Sequence, residues 1–243
     1  MSDSKYYQRT IVKEQLDSTF LGMQRNLRVY LPPGYNELHS YPAIYCQDGE
    51  EFFNFGRIAT HATRLILDEG LQPAIIVGVD VNMPERTNEY SPDGSRFGAY
   101  CQFFTKELLP FIEERYPVRP QPDDRILAGD SLGGTVSLHL VLDYPELFKK
   151  VLSLSGAFLP STITRLQQEP DLSFLDIYML IGTDETEVKT ERGTFDFLQL
   201  NRETKEILER KNVRPVYLER EGKHIWGFWQ KELPEALSYF LLS

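Results

Sequence analysis

Short apolar runs recur along the chain, each closed by a turn signal, with longer amphipathic stretches between them. Residues 10–16 and 26–31 read as two extended segments joined by a turn near Gly22, which predicts an antiparallel start. Six further runs follow, at 42–46, 74–79, 125–128, 151–154, 177–181 and 213–218. Short apolar runs bounded by turn signals suit strands buried in a parallel sheet. Helical patterns lie between them. Residues 58–67 form one. In 100–116, Phe104, Leu108, Phe111 and Ile112 fall on one apolar stripe. Residues 132–142 are apolar nearly all round, as a helix inside a core would be. Residues 194–210 carry one charged face. A last helix puts Leu233, Leu237, Phe240 and Leu241 on one stripe, with Pro234 expected in its first turn. Two strands and then repeated βα units with right-handed crossovers predict an α/β fold. Its sheet would be mostly parallel, roughly eight-stranded and covered by helices on both faces. A single domain over 1–243 is expected, and the segment 155–176 is too short for a large lid.

One junction carries a chemical signal. The run ending in Ala128 is followed by Gly129-Asp130-Ser131-Leu132-Gly133-Gly134 and then by a helical stretch. That is G-x-S-x-G in a strand–turn–helix setting, the form of a nucleophile elbow. Alone the motif is weak, because a glycine-rich turn before any helix can look the same. It gains force only if a base, an acid and an oxyanion site follow. A serine is a poor nucleophile at its own pKa and needs a neighbouring base.

Four histidines are available, and in this chain order the partners come after the serine. His39 and His61 precede it. His139 lies eight residues along the same helix, roughly 12 Å away at the helical rise, and reads as a core histidine. His224 remains, in a loop after the last predicted strand. The acid should lie between serine and histidine, past a strand end. The stretch Thr183-Asp184-Glu185-Thr186-Glu187 follows Gly182 and offers three carboxylates. Glu185 is preferred, with Asp184 and then Glu187 as alternatives. A solvated acidic loop would look the same. The oxyanion would take the N–H of Leu132, after the nucleophile, and that of Glu50 in the Gln47-Asp48-Gly49-Glu50 loop.

Composition narrows the partners. Asp plus Glu outnumber Lys plus Arg by 36 to 26, a net charge of -10, which disfavours nucleic acid and anionic membranes. No apolar segment approaches membrane-span length, and the first six residues contain no signal-like apolar region, so a cytoplasmic protein is expected. Cys46 and Cys101 stand 55 positions apart and make neither a disulfide framework nor a zinc site. No metal or organic cofactor is expected, and self-association is left open.

With these residues in place, the chain resembles the putative esterase family of α/β-hydrolases, which includes enterochelin-type siderophore esterases, feruloyl esterases and esterase D. The resemblance runs from Asn26-Leu27-Arg28-Val29-Tyr30-Leu31-Pro32 to His224. It includes Arg86-Thr87-Asn88-Glu89-Tyr90-Ser91-Pro92, Glu107-Leu108-Leu109-Pro110-Phe111-Ile112, Pro145-Glu146-Leu147-Phe148 and Ser153-Leu154-Ser155-Gly156. It implies an α/β-hydrolase fold and ester hydrolysis. In such relatives the acid often sits three residues past a strand-ending glycine, which points to Glu185. The chain departs at Asp130, where relatives often carry histidine.

The expected activity is a serine carboxylesterase working through an acyl-enzyme on a small-molecule ester. Phe52, Phe53, Phe158, Trp226 and Trp229 lie near predicted loop ends and, if they line the site, suit a small-acyl or aromatic ester. A siderophore trilactone hydrolase would want cations at the site, and the sequence shows no clear cluster. A non-catalytic binding protein on the same fold and an acyltransferase with the same triad are the other readings.

Overall fold

The computed structural model describes residues 9–242. Eight strands form one sheet: β1 (Thr10–Ser18), β2 (Met23–Leu31), β3 (Ala43–Cys46), β4 (Ile75–Val79), β5 (Arg125–Asp130), β6 (Lys150–Leu154), β7 (Asp176–Gly182) and, after a small hairpin, β10 (Val216–Arg220). The hairpin strands are β8 (Val188–Thr190) and β9 (Gly193–Phe195). Sheet order is β1-β2-β4-β3-β5-β6-β7-β10. β1 pairs antiparallel with β2, and β2 with β4; every other pairing in the sheet is parallel. This is the expected α/β-hydrolase architecture.

Alternation along the strands feeds two cores. Tyr45, Val77, Leu127 and Met179 face one side; Ile44, Ile76, Ile126 and Tyr178 face the other. The helices are α1 (Gly49–Asn54), α2 (Ile58–Glu69), α3 (Arg86–Tyr90), α4 (Phe97–Phe103), α5 (Leu109–Arg115), α6 (Leu132–Asp143), α7 (Pro160–Gln168), α8 (Phe197–Arg210) and α9 (Trp226–Leu241). α6 and α8 pack on the first side, α2 and α9 on the second. Burial runs unbroken from Gly133 to Leu142 in α6, which explains its all-round apolarity.

Three expectations need correction. The helix expected at 100–116 is interrupted: a π-helical turn over Phe104–Leu108 joins α4 to α5. Pro110 sits in the first turn of α5. It cannot donate to the carbonyl four residues back, so the hydrogen-bond register widens there. The helix expected to begin at 194 starts at Phe197, where Asp196 caps it by accepting the Gln199 N–H at 2.8 Å. Residues 194 and 195 instead belong to β9. The last helix begins at Trp226, so Pro234 stands in its interior rather than its first turn.

Candidate active site

Ser131 sits at the tip between β5 and α6 with φ 51° and ψ -122°. A non-glycine residue with positive φ is strained and is held there by its surroundings. The turn closes because Gly129 has no side chain: a Cβ there would lie 2.1 Å from the Gly133 carbonyl carbon. The Ser131 N–H donates to the Leu154 carbonyl at 3.0 Å, and its own carbonyl accepts from Ala157 at 2.9 Å. These bonds pin the nucleophile candidate between β6 and α6. The Leu132 N–H opens α6 and shares the helix N-terminus, where partial positive charge favours an anion.

Of the three carboxylates weighed, the structure brings one to His224. Glu185 Oε2 lies 2.6 Å from His224 Nδ1. The Glu185 carboxylate is buried, whereas Asp184 and Glu187 are exposed to solvent. Its other oxygen, Oε1, accepts from Ser155 Oγ at 2.6 Å and from the Gly182 N–H at 3.0 Å. The Trp229 indole N–H donates to Ser155 Oγ at 2.8 Å. A buried line of hydrogen bonds therefore runs from Trp229 through Ser155 and Glu185 to His224. The imidazole is also flanked by the rings of Phe197 and Trp229, each with its centroid 4.9 Å away and nearly perpendicular. Ser155 and Phe197 were not singled out as site residues from sequence. Ser155 adopts φ 50°, a backbone state invisible in sequence.

Ser131, Leu132 and His224 line one cavity of about 370 Å³. Ser131 and His224 also line a second, of about 380 Å³, beside it. Among the described residues the Ser131 hydroxyl has no hydrogen-bond partner and stands free at the cavity. Glu50 lines neither cavity. Its carboxylate reaches Arg28 at 3.0 Å. The Glu50 carboxylate is thus directed toward Arg28.

The aromatic expectation divides. Trp226 and Trp229 line the second cavity. Phe52 and Phe158 are fully buried packing residues, and Phe53 lines neither cavity. His139 is buried as expected. Burial, with the nearby Arg165 charge, lowers its pKa to about 4, and Nε2 lies 3.0 Å from Thr162 Oγ1.

On the other side of Ser131 lies a charged cluster. Arg86 grips Asp48 with two bonds, Nε to Oδ1 at 2.9 Å and Nη2 to Oδ2 at 2.7 Å. The same nitrogen lies 3.9 Å from Asp130 Oδ2. Asp130 is buried, its Oδ1 has no hydrogen-bond partner among the described residues, and burial together with the Asp48 charge raises its pKa well above the carboxylate range. Among the described residues, no cluster of histidine, cysteine or carboxylate groups could hold a metal ion, and no helix is long and apolar enough to cross a membrane.

Comparison with known proteins decides the family. The profile of the family described as Putative esterase matches residues 18–240. The chain belongs to this esterase family. Over 234 residues it is 38% identical to the uncharacterized protein YjcH of Bacillus subtilis (strain 168), covering 96% of this chain and 98% of that protein. An acetyl esterase of Caldicellulosiruptor saccharolyticus is 26% identical over 189 residues, 66% of this chain and 71% of that enzyme. The solved structure of a ferulic acid esterase superposes with a TM-score of 0.84 at 21% identity, covering 97% of this chain and 98% of the other, which establishes the shared fold. The protein is a hydrolase acting on ester bonds.

Proposed function

We propose that this esterase is a serine carboxylesterase that works through an acyl-enzyme. Ser131 attacks the ester carbonyl while His224 takes its proton. Glu185 keeps the imidazole in the correct tautomer and stabilises its cation. The Leu132 N–H and the α6 N-terminus stabilise the tetrahedral oxyanion. His224 then protonates the leaving alcohol, and a water activated by the same imidazole releases the acid and restores Ser131.

The observation that carries this reading is the 2.6 Å contact between His224 Nδ1 and Glu185 Oε2, at a cavity whose wall also presents Ser131. A histidine oriented through Nδ1 by a buried carboxylate is the arrangement a general base requires. Cavities of 370 and 380 Å³ sit at the low end for small-molecule sites and suit a small-acyl or aromatic ester. The acetyl and ferulic acid esterases among its relatives and structural neighbours agree with that range.

The test is labelling with a fluorophosphonate probe, the modified peptide being mapped by mass spectrometry. A tag on Ser131 that fades in His224→Gln supports the mechanism. An untagged, folded protein that turns over no ester would sink it.

A further inference from the structure

The two cavities meet at Ser131 and His224 but differ in what closes them. The second opens past the exposed Met83 and Ile225, beside Trp226 and Trp229, which follow His224 in the chain. The first is roofed by the β8–β9 hairpin. Its apolar lining includes Leu132, Ala157, Leu159, Val188 and Phe197, and all five belong to one small core. Leu132 and Phe197 open α6 and α8, and Ala157 and Leu159 lie between β6 and α7. Val188 alone of the five comes from the hairpin.

Strand alternation sets which hairpin side chains reach this core. Val188 pairs across the hairpin with Phe195, and both pack against it. Lys189, next along β8, therefore turns to the exposed face. The polar groups beyond it are taken up within the protein. Thr190 Oγ1 donates to the Gly193 carbonyl at 2.9 Å and accepts from the Arg192 N–H at 3.1 Å. The Arg192 guanidinium donates to Asp93 Oδ1 at 2.7 Å and to Ser91 Oγ at 2.6 Å. Glu191 accepts from the Thr87 hydroxyl at 2.8 Å. These bonds strap the hairpin to α3 and to the segment just after it. Val188, half-buried on a strapped hairpin, is a fixed stop at the edge of an apolar hollow.

We propose that the first cavity is the acyl subsite and that Val188 is its length gauge, so that the substrate is an ester of a short apolar acid. The proposal rests on the serine-esterase reading and adds its substrate class. The carbonyl oxygen of the scissile ester has to lie on the Leu132 N–H, and Leu132 lines the first cavity but not the second. The acyl chain continues from that carbonyl into the hollow under Val188. The alcohol lies on the other side, beside the His224 loop, where the imidazole protonates it and the open mouth releases it. The two methyl groups of Val188 then decide how many methylenes fit, because a packed wall yields little to an extra one.

The experiment measures kcat/KM for p-nitrophenyl acetate, butyrate, hexanoate and octanoate, and for acetates of alcohols of increasing length. The hexanoate-to-acetate ratio should rise about tenfold in Val188→Ala and fall about tenfold in Val188→Phe, the value of a methylene or two in an apolar pocket. Arg192→Met, which frees the hairpin from Asp93 and Ser91, should flatten the acyl profile toward that of Val188→Ala. Val12→Ala, the same truncation on β1 outside both cavities, should keep the wild-type ratio. The alcohol series should keep its order in every variant. An acyl ratio unchanged in both Val188 variants, or an alcohol series that shifts in its place, overturns the assignment. An Arg192→Met profile identical to the wild type overturns the strap. Robust turnover in those cases leaves the serine-esterase reading standing. No turnover of any ester and no fluorophosphonate tag removes both.

Discussion

Two buried carboxylates belong to the candidate site, Asp130 next to Ser131 in the chain and Glu185 on His224, and they are treated in opposite ways. Glu185 is satisfied at both oxygens, by Ser155, Gly182 and His224. Asp130 has one oxygen 3.9 Å from Arg86 and the other with no partner among the described residues. A carboxylate that accepts several short bonds is held in one orientation and holds its partner in turn; Asp130, with a single distant cation, is pushed toward its neutral form. The first arrangement suits a group that must stabilise an imidazolium during turnover. The second is a local cost, met next to Ser131 in the chain. Arg86 links this cost to the fold, because it joins the loop before α1 to the end of β5.

The comparison breaks most sharply at Glu185. Glu185→Gln should lower kcat about 10⁴-fold, since the amide can favour the wrong imidazole tautomer. Asp184→Ala should stay within about twofold, as surface changes usually do. Steady-state kinetics on one activated ester decide it; an inactive Asp184→Ala beside an active Glu185→Gln would overturn the assignment.

Next comes Arg86→Met. Removing the cation leaves Asp48 buried and unpaired, which should cost about 3–5 kcal/mol. That corresponds to a fall of about 10 °C in thermal midpoint. An unchanged midpoint would mean that water reaches the cluster and solvates Asp48 in the variant.

A smaller effect is expected from Ser155→Ala. It removes one donor to Glu185 and the acceptor of the Trp229 N–H, at about 1–3 kcal/mol. The pH profile of kcat/KM separates a positioning role from a structural one. Loss of the donor should shift the acidic limb, whereas a packing defect would scale the whole curve.

The smallest effect belongs to Asp130→Asn. Because its folded pKa is raised, the native state binds more protons than the unfolded chain between the ordinary carboxylate value of 3.8 and its folded value. Its contribution to stability therefore falls as pH rises through that window. Asn removes the fall, so the variant should gain about 1 kcal/mol, with a larger gain near pH 8 than near pH 4. Urea titrations at the two pH values test the sign. A variant less stable at high pH would show that the Arg86 contact outweighs the burial of the charge.

Much of this site was legible in sequence because its parts are local. The elbow shows itself through Gly129, which the tight turn demands, and Gly133, which packs against Gln47 and Asp48, and the fixed order of partners leaves His224 as the base candidate. The family resemblance, in which the acid sits three residues past a strand-ending glycine, points to Glu185 over Asp184, and burial is what separates the two in the folded chain. The β8–β9 roof was missed because strands of three residues carry too short a pattern to read. Its role follows from anchors to Asp93 and Thr87, about a hundred positions away in sequence.

The sequence by itself determined the eight sheet strands, the main helices and the candidacy of Ser131 and His224. Each rests on periodicity or on a turn that few residues tolerate, and such constraints act within a few neighbours along the chain. Only the tertiary structure decided that Ser155 and Trp229 support Glu185, that the Glu50 carboxylate turns toward Arg28, and that a hairpin lines one wall of the cavity. Those outcomes depend on burial and on hydrogen bonds between distant segments, which exist only once the sheet has brought the strand ends together.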